Sequence, residues 1–291
     1  DTQNEVFKTP VNKIRLFEHG APGSQNLKLT RKYYTEDMPD GRVKHIVQNI
    51  TDPDMVPYIP DGIGNSTDRQ RIPAVLIIPG GAFRRLVYNF EGEDVAKWLN
   101  SMGIAAFVLE CRLPSDEHDN AEDVPLIDAM RAMRVIRGRA QEFGIDEAKI
   151  GVMGFSAGGF MAALLSTAYE SDVYADYKYK DEYDKLSARP DFAVCSYPVI
   201  SIDDCIEAGK RYMSEEQVLE RISDSKAKIL HKYNPDKLVR PDMPPVFICE
   251  TDDDRTTLSE NSVGFYMAAR KAGVSAELHI FRTGGHGYGC G

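Results

Sequence analysis

Ser156 lies in the run Gly154-Phe155-Ser156-Ala157-Gly158-Gly159, where an apolar strand-like stretch from Lys149 to Met153 gives way to a helix-like one from Ala157 to Leu165. A serine with glycine two positions to either side is the pattern of a nucleophile elbow, a turn too tight for bulkier side chains at those places. Such a turn lifts the hydroxyl clear of the sheet and aims the unpaired N–H groups of the next helix at whatever the serine attacks. Three small residues at this spacing recur by chance, so the strand before them and the helix after them carry the weight. The competing reading is a glycine-rich turn with a solvated serine.

A serine hydroxyl is a poor nucleophile at neutral pH and needs a base, itself oriented by a buried carboxylate. Folds that use this elbow place the acid and then the histidine after later strands. Two such positions follow. A strand-like run from Pro245 to Glu250 leads into Thr251-Asp252-Asp253-Asp254, and one from Ala276 to Phe281 leads into Thr283-Gly284-Gly285-His286-Gly287. His286, between glycines that let the backbone bend, is the candidate base. Asp254 stands furthest from its strand and is the preferred acid, with Asp253 next and Asp203 or Asp204 behind them. His279 falls within a strand, and His19, His45, His118 and His231 have no supporting context.

Acyl transfer also needs donors for the oxyanion formed when a carbonyl is attacked, each contributing about 3 kcal/mol. Pro79-Gly80-Gly81-Ala82-Phe83 ends an apolar strand and offers the amides of Gly81 and Ala82; Ala157, heading the helix after the serine, offers a third.

The elements that must position these groups alternate. Strands are expected over Val11 to Phe17, His45 to Ile50, Ile72 to Pro79, Ile104 to Glu110, Lys149 to Phe155, Asp191 to Ile200, Pro245 to Glu250 and Ala276 to Phe281. Helices are expected over Gly92 to Met102, Pro125 to Phe143 and Ser259 to Ala272. Apolar strands alternating with helices imply a mainly parallel sheet of about eight strands with helices on both faces. A polar stretch rich in proline, glycine and aspartate runs from Thr51 to Arg71. Two insertions break the rhythm: Tyr169 to Arg189, crowded with tyrosine and charge, and Asp203 to Met243, one or two helices and a loop. Both are expected at the sheet end that binds ligands in open α/β folds, as a small partial lid. Tyr174, Tyr177, Tyr179 and Tyr183 read either as an insertion packing on itself or as a platform for a sugar or aromatic group.

The 291 residues, 42% hydrophobic, can bury one large core, and residues 1–291 read as a single elaborated domain. A net charge of -10 disfavours nucleic acid and anionic membrane and leaves neutral or cationic ligands. No apolar stretch approaches the roughly 20 residues of a membrane span. The sequence opens at Asp1, and the expected compartment stays open between cytoplasm and secretion, for a soluble chain of unassigned oligomeric state. Its 5 cysteines form no metal-ligand spacing. Cys111, Cys195 and Cys249 lie in apolar runs and are expected to be buried thiols.

These motifs together resemble the α/β-hydrolase family of acetyl xylan and feruloyl esterases, a group related to dienelactone hydrolases. The resemblance runs from about Val11 to Gly289. It rests on Pro79-Gly80-Gly81, Cys111-Arg112-Leu113, Asp128-Ala129 with Arg131-Ala132, the elbow, Tyr197-Pro198-Val199-Ile200, and Glu277 to Phe281 through Gly285-His286-Gly287. It implies a cofactor-free, metal-free serine carboxylesterase that removes acetyl or aryl groups from a sugar or plant polysaccharide. Three departures stand out. Phe160 replaces a histidine common after the elbow, Thr256-Thr257-Leu258 stands where a Val-Pro pair often follows the acid, and the family continues into a final helix whereas this sequence ends at Gly291. Two other functions fit the same residues: a peptidase of prolyl-oligopeptidase type, which normally carries a separate propeller, and a binding protein that keeps the scaffold without turnover.

Overall fold

A computed structural model describes residues 7, 10–63, 71–211, 213–223 and 228–290. Its strands are β1 (Ile14–Arg15), β2 (Lys32–Asp37), β3 (Val43–Gln48), β4 (Asp54–Tyr58), β5 (Ile72–Ile78), β6 (Leu86–Val87), β7 (Ala105–Glu110), β8 (Ile145–Phe155), β9 (Ala193–Ser196), β10 (Val246–Thr251) and β11 (Ala276–Phe281). The helices are α1 (Asp94–Ser101), α2 (Val124–Gly138), α3 (Ala140–Phe143), α4 (Ala157–Ala168), α5 (Ile202–Lys210), α6 (Glu215–Ser223), α7 (Lys228–Lys232) and α8 (Ser259–Lys271).

Eight of the described strands form one sheet in the order β1-β4-β7-β5-β8-β9-β10-β11. From β7 to β11 every neighbouring pair is parallel, while β4 runs antiparallel to both β1 and β7. The central strands read as unbroken apolar runs because both their faces are covered: Ala74, Leu76 and Ile77 of β5 and Ala105 to Leu109 of β7 are fully buried. Burying one such leucine or isoleucine contributes about 1.5–3 kcal/mol. α1 packs against β4 and β7, α2 and α4 pack against each other and on β8, and α8 packs on β10 and β11. A parallel order of this kind brings the C-terminal loops of β5, β8, β9, β10 and β11 to one end of the sheet.

Several elements differ from the sequence expectation. The first strand shrinks from Val11–Phe17 to two paired residues, and β9 stops at Ser196 because Tyr197 turns out of it at φ 37°. β4 lies inside the stretch expected to be polar and irregular, with Met55 and Val56 buried. A second, antiparallel sheet of β2, β3 and β6 was not anticipated. Its β2–β3 hairpin turns through Met38-Pro39-Asp40-Gly41-Arg42, where the Arg42 carbonyl accepts from Met38 and Gly41 takes φ 84°.

The tyrosine-rich insertion packs on α2. Tyr174 is buried against Arg134 and Asp184, Arg131 bonds Asp181 and Asp184, and the Tyr177 ring meets the edge of Phe17 at 5.5 Å while its hydroxyl donates to the Gly20 carbonyl. Cys111 and Cys195 are buried, which pushes both thiols far up, whereas Cys249 is half-buried against Ser196 and Tyr288. Among the described residues no helix is long and apolar enough to cross a membrane.

Candidate active site

Ser156 stands between β8 and α4 at φ 54°, ψ -117°, a backbone region that a non-glycine residue occupies only under constraint. The constraint is steric. A methyl group on Gly154 would lie 2.0 Å from the Gly158 carbonyl oxygen, and one on Gly158 would lie 2.0 Å from that of Ile78. Ser156 is held from three sides: its amide donates to the Ser196 carbonyl at 3.0 Å, and its own carbonyl accepts from Phe160 at 3.0 Å and Val199 at 3.3 Å.

The loops after β10 and β11 bring the other residues in. His286 Nε2 lies 2.8 Å from Ser156 Oγ, and its Nδ1 lies 2.6 Å from Asp254 Oδ2. The Asp254 carboxylate is cradled further: Oδ1 accepts the amides of Thr256 at 2.7 Å and Thr257 at 3.0 Å, and Oδ2 accepts the Thr257 hydroxyl at 2.9 Å. Burial pushes the Asp254 carboxyl up, but His286 and those amides outweigh it and hold the group below the ordinary carboxylate range. An ionised carboxylate on Nδ1 leaves Nε2 facing the serine as an acceptor, the tautomer a general base needs.

Asp253, the second choice from sequence, does not reach the histidine. Its Oδ1 accepts the amides of Gly284 at 2.9 Å and Gly285 at 2.8 Å, pinning the turn that presents His286. Asp203 and Asp204 sit in the first turn of α5, capped by Ser201, outside the cleft. His279 is exposed on β11 and bonds Glu277 at 2.6 Å, and His118 is buried against Ser24.

Gly81 and Ala82 line the same cleft as Ser156 and His286, and Ala157 begins α4 beside them. Gly81 takes φ 140°, and its carbonyl accepts from Arg84 and Arg85, which folds the loop over the serine. The Gly80 amide is committed elsewhere, donating to Glu91 Oε2 at 2.8 Å. The cleft, of about 230 Å³, is further walled by Met38, Arg42 and Lys44 of the unanticipated hairpin and by Arg85, Phe90 and Glu91. Among the described residues neither insertion lines that cleft, whereas the β2–β3 hairpin does. The hairpin had a signal in sequence, Pro39-Asp40-Gly41 after the aromatic pair Tyr33-Tyr34; Glu91 had none beyond its charge.

Residues 63–268 match the family model BD-FAE, well over half of the chain. The chain belongs to the BD-FAE family. A solved structure similar to it is the acetyl ester-xyloside bifunctional hydrolase of Caldicellulosiruptor lactoaceticus, 35% identical, with a TM-score of 0.67 over 95% of this chain and 88% of that one. The acetylxylan esterase of Xylanibacter ruminicola is 31% identical over 220 residues, 75% of this chain and 41% of that protein. Endo-1,4-beta-xylanase B of Butyrivibrio fibrisolvens is 30% identical over 263 residues, 88% of this chain and 40% of that protein. The chain thus spans about two fifths of the length of these two relatives. Its fold is that of the α/β-hydrolase esterases.

In this BD-FAE chain the departures from the family pattern have visible consequences. Phe160, in place of histidine, packs edge-on against Phe83 with ring centroids 5.5 Å apart, behind the Gly80–Gly81 turn. Thr256 and Thr257 supply the amides and the hydroxyl that cradle Asp254. Among the described residues no cluster of His, Cys, Asp and Glu fit to hold a metal ion occurs.

Proposed function

We propose that this chain is a serine carboxylesterase that hydrolyses small acyl esters, acetyl above all, on a carbohydrate such as xylan. One observation carries the reading: an unbroken hydrogen-bond chain runs from Ser156 Oγ through His286 to Asp254, with the serine on a strained elbow. In the first step His286 Nε2 takes the hydroxyl proton as Ser156 Oγ attacks the ester carbonyl, and Asp254 stabilises the imidazolium. The amides of Ala157, Gly81 and Ala82 receive the oxyanion, each contributing about 3 kcal/mol. His286 then protonates the departing alcohol, leaving an acyl-serine, and a water activated by the same histidine releases the acid.

The acyl and carbohydrate assignments draw on what the relatives are named for, an acetylxylan esterase and an acetyl ester-xyloside hydrolase. A cleft of about 230 Å³ suits a short acyl group. We read the chain as one α/β-hydrolase unit that needs no cofactor and, at a net charge of -10, takes neutral or cationic ligands in preference to nucleic acid or anionic membrane.

The test is the initial rate on a chromogenic acetate ester for the wild type and for folded Ser156→Ala, followed by acetate release from acetylated xylan. The variant is expected to lose at least about a thousandfold in kcat. An equally active variant overturns the serine assignment, and turnover of the chromogenic ester with none of the xylan overturns the carbohydrate part alone.

A further inference from the structure

Glu91 is a carboxylate that the proposed reaction has not used. It stands in the π turn Asn89–Glu93 that leads into α1, 5% exposed, on the wall of the cleft holding Ser156 and His286. A buried carboxylate persists only where donors or a positive charge compensate it. Here Oε2 accepts the Gly80 amide at 2.8 Å, and Oε1 accepts the Tyr197 hydroxyl at 2.9 Å. The Gly289 amide donates to the Tyr197 oxygen at 3.0 Å, and the Tyr197 hydroxyl passes its own proton on to Glu91.

The partners belong to three separate loops. Gly80 precedes the proposed oxyanion donors Gly81 and Ala82. Tyr197 follows β9 and meets the His286 ring edge-on, with centroids 5.0 Å apart. Gly289 lies three residues beyond His286. One side chain therefore ties the loop after β5 to those after β9 and β11. Burial dominates and raises the Glu91 carboxyl above the ordinary carboxylate range, against the Tyr197 hydroxyl, the charge of His286, the Gly80 amide and the charge of Lys44; both of its oxygens nevertheless face donors, the arrangement of a carboxylate. Asp254, Thr257 and Tyr197 face His286, Lys44 faces Glu91 from β3, Tyr288 faces Tyr197, and Arg42 and Arg85 line the same cleft.

Resting on the esterase reading above, we infer that Glu91 is a positioning residue for the hydrolysis. Through Tyr197 it holds the Gly80–Gly81 turn in register with the His286 loop, and its negative charge joins that of Asp254 in favouring the protonated His286 formed when Ser156 attacks.

Glu91→Gln keeps the shape, removes the charge and cannot accept from both Gly80 and Tyr197. In the folded variant kcat on a short acetate ester is expected to fall about tenfold to a hundredfold, with KM changed less than about threefold. The acid limb of the kcat/KM profile follows protonation of the base in the free enzyme. It is expected to move to lower pH by about half a unit or more, since a lost negative charge disfavours the imidazolium. A limb that stays at the wild-type pH overturns the proposal whatever happens to kcat, because lost packing alone leaves it in place.

Should Glu91→Gln fail to fold, Tyr197→Phe keeps the ring against His286 and removes only the linking hydroxyl. Its kcat is expected to fall about threefold to tenfold, as for one hydrogen bond broken at a distance from the reacting atoms, and wild-type kcat in this variant overturns the proposal. Ser156→Ala separates the two claims. Activity in that variant removes the esterase mechanism itself, whereas inert Ser156→Ala beside an unmoved Glu91→Gln profile removes the role of Glu91 alone.

Discussion

Three consecutive aspartates close β10, and two of them face different tasks. Asp254 is buried, bonds His286 Nδ1 and is fed by two amides and a hydroxyl, while exposed Asp253 bonds the amides of Gly284 and Gly285. Asp254→Asn keeps the size but turns a carboxylate that fixes the tautomer into an amide that does not, and kcat is expected to fall by about a thousandfold or more. Asp253→Asn weakens a turn without touching the histidine, and its loss is expected to stay within about tenfold. Steady-state kinetics on one acetate ester checks both, and equal losses would contradict the division of labour. Ser156 and His286 were legible in the sequence because the chemistry demands particular backbones around them, and glycines advertise those backbones. The choice between Asp253 and Asp254 rested on position along the loop, since sequence does not show which carboxylate turns inward. Glu91 was not legible: an acidic residue at the head of a helix reads as a complement to the helix dipole, and its bonds to Gly80 and Tyr197 span 11 and 106 residues.

At the scale of elements, the elbow depends on β8 and α4 meeting with no side chain between them. Gly158→Ala places a methyl group 2.0 Å from the Ile78 carbonyl oxygen, backbone that cannot rotate away. Separating α4 from β5 enough to admit it is expected to cost about 3 kcal/mol or more, the range of severe overpacking. Thermal unfolding checks this, and a melting temperature within a degree of wild type would contradict the steric account. The strands β5, β7 and the second half of β8 were legible because they are buried on both faces and read as continuous apolar runs, whereas β10 and the mostly exposed β11 were legible from strand-prone residues between turn residues. β4 was not, because Pro53, Pro57 and Pro60 punctuate it and a strand carrying proline reads as loop. The tyrosine insertion misled in the opposite sense: tyrosine suits a binding platform or a packed loop equally well, and the arginines of α2 that anchor it lie some 40 to 53 residues away in sequence.

At the scale of the whole molecule, stability is tied to pH through a second buried carboxyl next to the site. Glu250, fully buried at the end of β10, is pushed up to about 8, chiefly by burial and further by the charge of Asp254, against the lowering effects of the Thr251 amide and the Ser262 hydroxyl. The unfolded chain releases this proton near 4.5, so the folded state binds more protons between the two values. The contribution is complete below the unfolded value and is lost as pH rises through about 8. Glu250→Gln, neutral at every pH, is expected to gain stability relative to wild type from about pH 5 upward and to level off above about pH 8, by a few kcal/mol at about 1.4 kcal/mol per unit. Melting temperatures of both proteins across that range check it, and a constant difference would contradict it. Assembly of the site is also a property of the whole chain, since Ser156, Asp254 and His286 arrive on loops after three different strands. The most direct test is to treat the protein with an organophosphate that phosphorylates activated serines and to map the adduct by peptide mass spectrometry while following ester hydrolysis. A single adduct on the peptide holding Ser156, formed in step with loss of activity and absent from His286→Ala, is the expected result; full activity without an adduct, or an adduct on another residue that tracks the loss, would contradict the account.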